Sequence, residues 1–109
     1  MLSITAPVGR LNPGTTGNRP DDVRRVQYLF NKTPASEGAP DFLFDTTSGV
    51  CGQDLIDAIM EFQSFHPPLL VDGRVDVGEQ TITKLNQVAD LTTPKTKTLG
   101  PFWHTSPSS

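Results

Sequence analysis

Three stretches of the chain repeat apolar side chains at helical spacing, and between them the pattern dissolves into Gly, Pro and polar residues. In residues 20–31, Val23, Val26, Leu29 and Phe30 fall on one face, with Arg24 and Tyr28 four apart on the other. Pro20 suits a first helical turn, and Asp21 and Asp22 complement its positive end. Thr33 precedes Pro34 and so leaves helical geometry, which ends the element. In residues 53–65, Leu55, Ile56, Ile59, Met60 and Phe62 cover a wide arc, and Asp54, Asp57 and Glu61 lie opposite. So wide an arc suits a central helix packed against two others, stopped by Pro67-Pro68. Residues 79–89 form the third helix, with Ile82, Leu85 and Val88 on one face.

The rest is connection. Leu2 and Ile4 alternate with polar residues, the pattern of a short strand, inside an otherwise irregular segment 1–17. Residues 34–51 read as loop, with Phe42-Leu43-Phe44 as an apolar patch over one end of the core. Residues 91–109 have no periodicity and read as tail or linker, in which Phe102 and Trp103 mark a docking spot or fold back on the core. The fold expected is mainly α: a small three-helix bundle over residues 18–90, with two Asp/Gly-type turns and irregular N- and C-terminal segments. A weak echo links those turns. Asp45 to Gly52, and Asp72-Gly73-Arg74-Val75-Asp76-Val77-Gly78, each run from an Asp to a valine, then a glycine, then a helix. On this reading Val50 and Val75 plug the core and the glycines supply backbone freedom.

At 109 residues the chain fits one domain with a small core. A net charge of −3 argues against nucleic-acid binding, which calls for a basic face. From Asp41 through Glu79, Arg74 is the only Lys or Arg among eight acids. One cysteine, Cys51, excludes an internal disulfide and reads as a small buried apolar side chain. Met1-Leu2-Ser3-Ile4-Thr5 lacks the basic stretch and apolar run of a secretory leader, and no stretch is long enough to span a membrane. The chain is therefore expected to be made in the cytoplasm; the same features fit a piece of a longer protein.

Val50-Cys51-Gly52, Ala58-Ile59 and Phe62-Gln63, followed by Val71-Asp72-Gly73-Arg74-Val75 with Gly78, Thr81 and Leu85, form an ordered set. With Asp22-Val23, Val26-Gln27 and Leu29 ahead of it, the set resembles the peptidoglycan-binding domain family over residues 18–89. That resemblance implies a three-helix fold that tethers a partner, such as a wall hydrolase or secreted effector, to peptidoglycan through its stem peptide or glycan. It also implies action at the wall or periplasm after delivery by another route. This sequence departs from the family pattern at Leu55, where threonine is common, in the longer second turn with Asp76 and Val77, and in the long loop after the first helix. The alternative expectation is a protein-interaction adaptor, or the targeting part of a secreted toxin, on the same fold.

No catalytic set accompanies these motifs, so no enzyme activity is expected. His66 and His104 have no ligand partner at metal spacing, so neither metal nor cofactor is expected; His66 instead suits the negative end of the second helix. Gln63 is expected to hydrogen-bond a loop backbone, as a buried amide must. The candidate ligand surface comprises Asp72, Arg74 and Asp76, where Arg74 meets a carboxylate and the acids an ammonium, and Arg24 with Tyr28 as an exposed cation–aromatic pair. Asp54, Asp57 and Glu61 read as a solvated face. These helix faces have a direct test. Phe62→Ala should destabilise the domain by roughly 3–5 kcal/mol through a core cavity. Asp57→Ala should change stability by less than about 0.5 kcal/mol, and equal shifts in denaturant melts would contradict the face assignment.

Overall fold

The computed structural model describes residues 2–89 and the backbone of residues 98–99. These residues hold β1 (Val8–Gly9), α1 (Pro20–Lys32), a 3-10 turn (Ala35–Glu37), β2 (Phe42–Leu43), α2 (Gln53–Phe65), β3 (Arg74–Val75), α3 (Gln80–Val88) and β4 (Thr98–Leu99). The protein is mainly α with three helices, as the periodicity requires. The helix faces also match expectation. Val23, Val26, Leu29, Phe30, Leu55, Ile59, Phe62 and Leu85 are fully buried, while Asp57 and Glu61 are exposed. Phe62 stands edge-on to Phe30 at 5.7 Å between ring centres, and Phe30 meets Phe44 at 6.0 Å. The Phe42–Phe44 patch therefore closes one end of the core.

α1 stops where Thr33 turns extended before Pro34; the Thr33 hydroxyl donates to the Leu29 carbonyl at 2.7 Å and covers an orphan acceptor. His66 ends α2 at its negative terminus, as expected, and makes a further contact. Its Nε2 donates to the Glu37 carbonyl at 2.6 Å and its ring lies 4.6 Å from Phe62, so it ties α2 to the 3-10 turn.

The N-terminal segment departs most from expectation. Leu2 and Ile4 form no strand, and residues 2–9 pack against the body while 12–16 are exposed. Ile4 and Val8 enter the core, and β1 pairs antiparallel with β3, Val8 opposite Val75 and Gly9 opposite Arg74. Gly9, at φ +120, lies so near the Gly73 carbonyl that a Cβ there would clash at 2.1 Å. Side chains supply the bonds that a longer sheet would make. Asn86 accepts from the Leu2 N–H and donates to its carbonyl, both at 2.8 Å. Asn18 brackets Gly9 in the same way at 2.7 and 3.0 Å. Asn31 brackets Phe44 at 2.7 and 3.0 Å. Within the stretch expected to be tail, Thr98–Leu99 pair in parallel with β2; Phe102, Trp103 and His104 lie outside the described residues.

Asp22 is the anchor of the N-terminal segment. It is buried on the first turn of α1 and accepts from the Thr5 N–H (2.9 Å), the Thr5 hydroxyl (2.8 Å) and the Ala6 N–H (3.1 Å), with Arg25 at 3.2 Å. Burial opposes its charge, but these bonds and Arg25 outweigh it and hold the carboxyl below its ordinary range. A carboxyl depressed by folding stabilises above its unfolded pKa, and that gain is lost as pH falls through the folded value. Asp22→Asn should therefore cost about 1–3 kcal/mol at neutral pH. The gap between mutant and wild-type melts should close as pH is lowered from about 4. A gap that stays constant into strong acid would show that the carboxylate charge contributes nothing.

Candidate functional site

The loop from Leu69 to Glu79 is organised by one side chain. Gln63, on the last turn of α2, is 1% exposed. Its Oε1 accepts from the N–H groups of Asp72 (3.1 Å) and Gly73 (3.0 Å). Its Nε2 is placed for the Arg74 carbonyl and Asp72 Oδ1, both at 2.9 Å, and for the Thr81 hydroxyl at 3.2 Å. Gly73 takes φ +72, and Asp72 Oδ1 accepts from the Arg74 N–H at 3.0 Å. The loop-backbone role expected of Gln63 is thus realised, with side chains of two further residues added.

This framework brings Asp72, Arg74 and Asp76 together. Arg74 Nε donates to Asp76 Oδ1 at 2.8 Å and Nη2 lies 3.7 Å from Asp72. Hydrogen bonding and charge from Asp76 push the guanidinium further toward its charged form. The turn's charges thus pair first with each other, and the Arg74 side chain remains a quarter exposed. A shallow cavity of about 220 Å³ lies here, lined by Gln63, Leu69, Leu70, Asp72, Arg74 and Asp76 among others. Leu70, Val71 and Val77 leave apolar side chains exposed nearby in sequence.

Arg24 and Tyr28 do not form the expected pair. Arg24 bonds Asp21 at 3.0 Å and the Thr47 carbonyl at 3.3 Å. The Tyr28 ring has Lys32 Nζ at 5.8 Å instead. A carboxylate one turn away outcompetes a ring face for a guanidinium. Among the described residues no hydrogen bond, ion pair or ring contact joins Arg24 or Tyr28 to the Asp72–Asp76 turn, so the five candidates make two separate places.

The echo between the loops is real in geometry, with a different register from the one read in sequence. Ser48-Gly49-Val50-Cys51 corresponds to Asp72-Gly73-Arg74-Val75. Gly49 takes φ +66, and the Ser48 hydroxyl accepts from the Val50 N–H at 3.4 Å, as Asp72 does from Arg74. Val50 therefore matches Arg74 and is 66% exposed, so it does not plug the core; Cys51, packed against the core, matches Val75. Burial pushes the Cys51 thiol up to about 11 against a hydrogen bond from the Gly9 backbone, and the Asp54 charge also pushes it up, which keeps it a thiol at neutral pH.

Gln27 of α1 occupies the place of Gln63, but its network is nearly empty. Its Nε2 reaches only the Val50 carbonyl, at 3.5 Å, and its buried Oε1 has no partner. Two substitutions explain part of the loss. Ser48 is too short to supply the acceptor that Asp72 gives Gln63. Three residues after the glycine that precedes each helix, Thr81 is matched by Leu55, which has no acceptor. An unpaired buried carbonyl costs about 1–3 kcal/mol. Beside Gln27 lies a cavity of about 260 Å³, walled by Phe44, Val50 and Gly52, with Asp45, Ser48 and Asp54 at its polar positions. Sequence reading placed Gln27 among the family-like residues but gave it no contact; the available signal was that Val26-Gln27 and Phe62-Gln63 are the same apolar-Gln pair on two helices.

Among the described residues, no group of three or more His, Cys, Asp or Glu is placed to hold a metal ion, and no helix is long and apolar enough to cross a membrane. No protein-family model, curated protein or solved structure matches the chain.

The two glutamines should respond differently to the same change. Gln63→Leu removes the acceptor of the Gly73 N–H and the amide donor to the Arg74 carbonyl, leaves the Asp72 N–H only its 3.2 Å bond to the Leu70 carbonyl, and should cost roughly 3 kcal/mol. Gln27→Leu removes an orphan acceptor and one long hydrogen bond, and should change stability by less than about 1 kcal/mol in either direction. Comparable losses in urea melts would mean that the Gln27 network is as complete as that of Gln63.

Proposed function

We propose that this chain is a non-catalytic module that binds bacterial cell-wall peptidoglycan and targets an associated protein or domain to the wall. The observation that carries the reading is the position of the residues on which the family resemblance rests. Gln27, Gln63, the two glycine turns, Val75 and Thr81 form one repeated device, a helix glutamine facing a glycine turn, and not a set of scattered matches. On this reading the finer fold is a three-helix bundle with two such turns. The ligand face is the second turn, where Asp76 and Asp72 hold the Arg74 guanidinium in place beside the shallow cavity. A guanidinium fixed in advance loses little freedom when it meets a stem-peptide carboxylate, and Asp72 and Asp76 suit a diamino-acid ammonium. Arg24 and Tyr28, on α1, are kept as a second and separate contact. Partners follow from the same reading: peptidoglycan itself, and a wall hydrolase or secreted effector that acts with the module at the wall or periplasm.

The exposed Leu70, Val71 and Val77 around the second turn favour one other use of the fold, a protein-interaction adaptor or the targeting part of a secreted toxin. Co-sedimentation with purified sacculi separates the two. The wall reading expects saturable pelleting, no release of soluble wall fragments, and weaker pelleting for Arg74→Ala with an unchanged melting midpoint. No pelleting at high protein concentration would favour the adaptor, and released fragments would overturn the non-catalytic reading.

A further inference from the structure

The cavity beside Gln27 has features that the second turn lacks. Gln27 is only 4% exposed, it lines the cavity, and its Oε1 is the one buried side-chain polar atom among the described residues without a hydrogen bond. The matching Oε1 of Gln63 accepts two N–H groups, so the vacancy at Gln27 has the form of a missing donor. Two carboxylates share the cavity lining. Asp45 uses Oδ1 to accept from the Thr47 N–H and hydroxyl, bonds that hold it below the usual carboxylate range and hence ionised. Asp54 makes no ion pair and no hydrogen bond through its carboxylate among the described residues. Among the described residues, no Lys or Arg lines the cavity. Phe44 and Val50 supply apolar wall between these polar points.

We propose that this cavity binds a primary ammonium group on a short aliphatic stem, its N–H donating to Gln27 Oε1, its charge set against Asp45 and Asp54, and its methylenes against Phe44 and Val50. A neutral amide would satisfy Gln27 but leave both carboxylates uncompensated. An anion is excluded by the same two charges. Size sets the other limit. At about 260 Å³ the cavity falls below the roughly 300–1,000 Å³ of sites for drug-sized ligands. It takes a side chain or a small amine, and a disaccharide is too large. The inference stands on the cavity alone and does not depend on wall binding, which is read in a separate assay.

The test is a titration of the full-length, ¹⁵N-labelled chain with n-butylammonium, with n-butanol as the uncharged match. Saturable shifts are expected at the amides of Ser48, Val50, Gly52 and Asp54 and at the Gln27 side-chain NH₂, and n-butanol should leave them nearly still. Asp54→Asn should weaken binding roughly fivefold or more, the loss of one partly screened charge pair. Gln27→Met keeps the volume and removes the acceptor, so it should weaken binding with little change in the melting midpoint. Should Gln27→Met fail to fold, the Asp45→Asn and Asp54→Asn pair decides the matter from the surface. Titrations with Nα-acetyl-lysine amide and putrescine separate the sources of such a group: tighter binding of the first assigns a peptide side chain, and of the second a free diamine. Equal response to n-butanol, shifts that spread without saturation over Asp57 and Glu61, or full binding by the double Asn variant would overturn the proposal.

Discussion

The fold depends on the Gln63 carboxamide. It is a single planar group with one acceptor and two donor hydrogens, sunk at the end of the central helix. Around it gather two backbone N–H groups, one carbonyl, one carboxylate and one hydroxyl from a segment up to 18 residues away. A buried amide tolerates little vacancy, so the loop cannot move without stranding several polar groups at once. β3 lies in that loop. Its pairing with β1, the seating of Val8 and Val75 in the core, and the close approach of Gly9 to Gly73 all follow from the place Gln63 assigns to the turn.

The same solution recurs wherever the chain is irregular. A small core flanked by long connections has many backbone groups and little regular sheet to pair them. Asn18, Asn31 and Asn86 each present a carboxamide to one residue of a connecting segment, accepting its N–H and donating to its carbonyl. Asp22 performs the acceptor half of this task for Thr5 and Ala6. These side chains give the domain two-residue strands with the bonding of longer ones, and they hold the N-terminal segment across α1 and α3.

Two copies of the glutamine-and-turn device differ in completeness. The second copy is closed: its polar atoms pair with one another, which makes it rigid and suits it to present Arg74 in a fixed pose. The first copy is open. Ser48 and Leu55 stand where its twin has Asp72 and Thr81 and give the Gln27 amide N–H groups no acceptor, and no N–H among the described residues donates to its Oε1.

Local periodicity by itself determined the three helices, their buried faces and their ends, because apolar burial at 3.6-residue spacing and the geometry around Pro34 and Pro67 act within a turn or two. It also marked Gln63 as an amide in need of a loop, and grouped Asp72, Arg74 and Asp76, which are neighbours in the chain. Tertiary structure alone decided the rest. Leu2 finds Asn86 across 84 residues and Gly9 finds Arg74 across the sheet, pairings for which no local pattern exists. Val50 and Cys51 are adjacent and similar in character, and only the turn register sends Val50 outward and Cys51 inward. Arg24 had Tyr28 and Asp21 at equal helical convenience, and the Thr47 carbonyl on the folded loop helped settle it on the acid side. Gln27 looked like Gln63 in sequence; the vacancy that sets it apart arises from groups the loop does not bring to it.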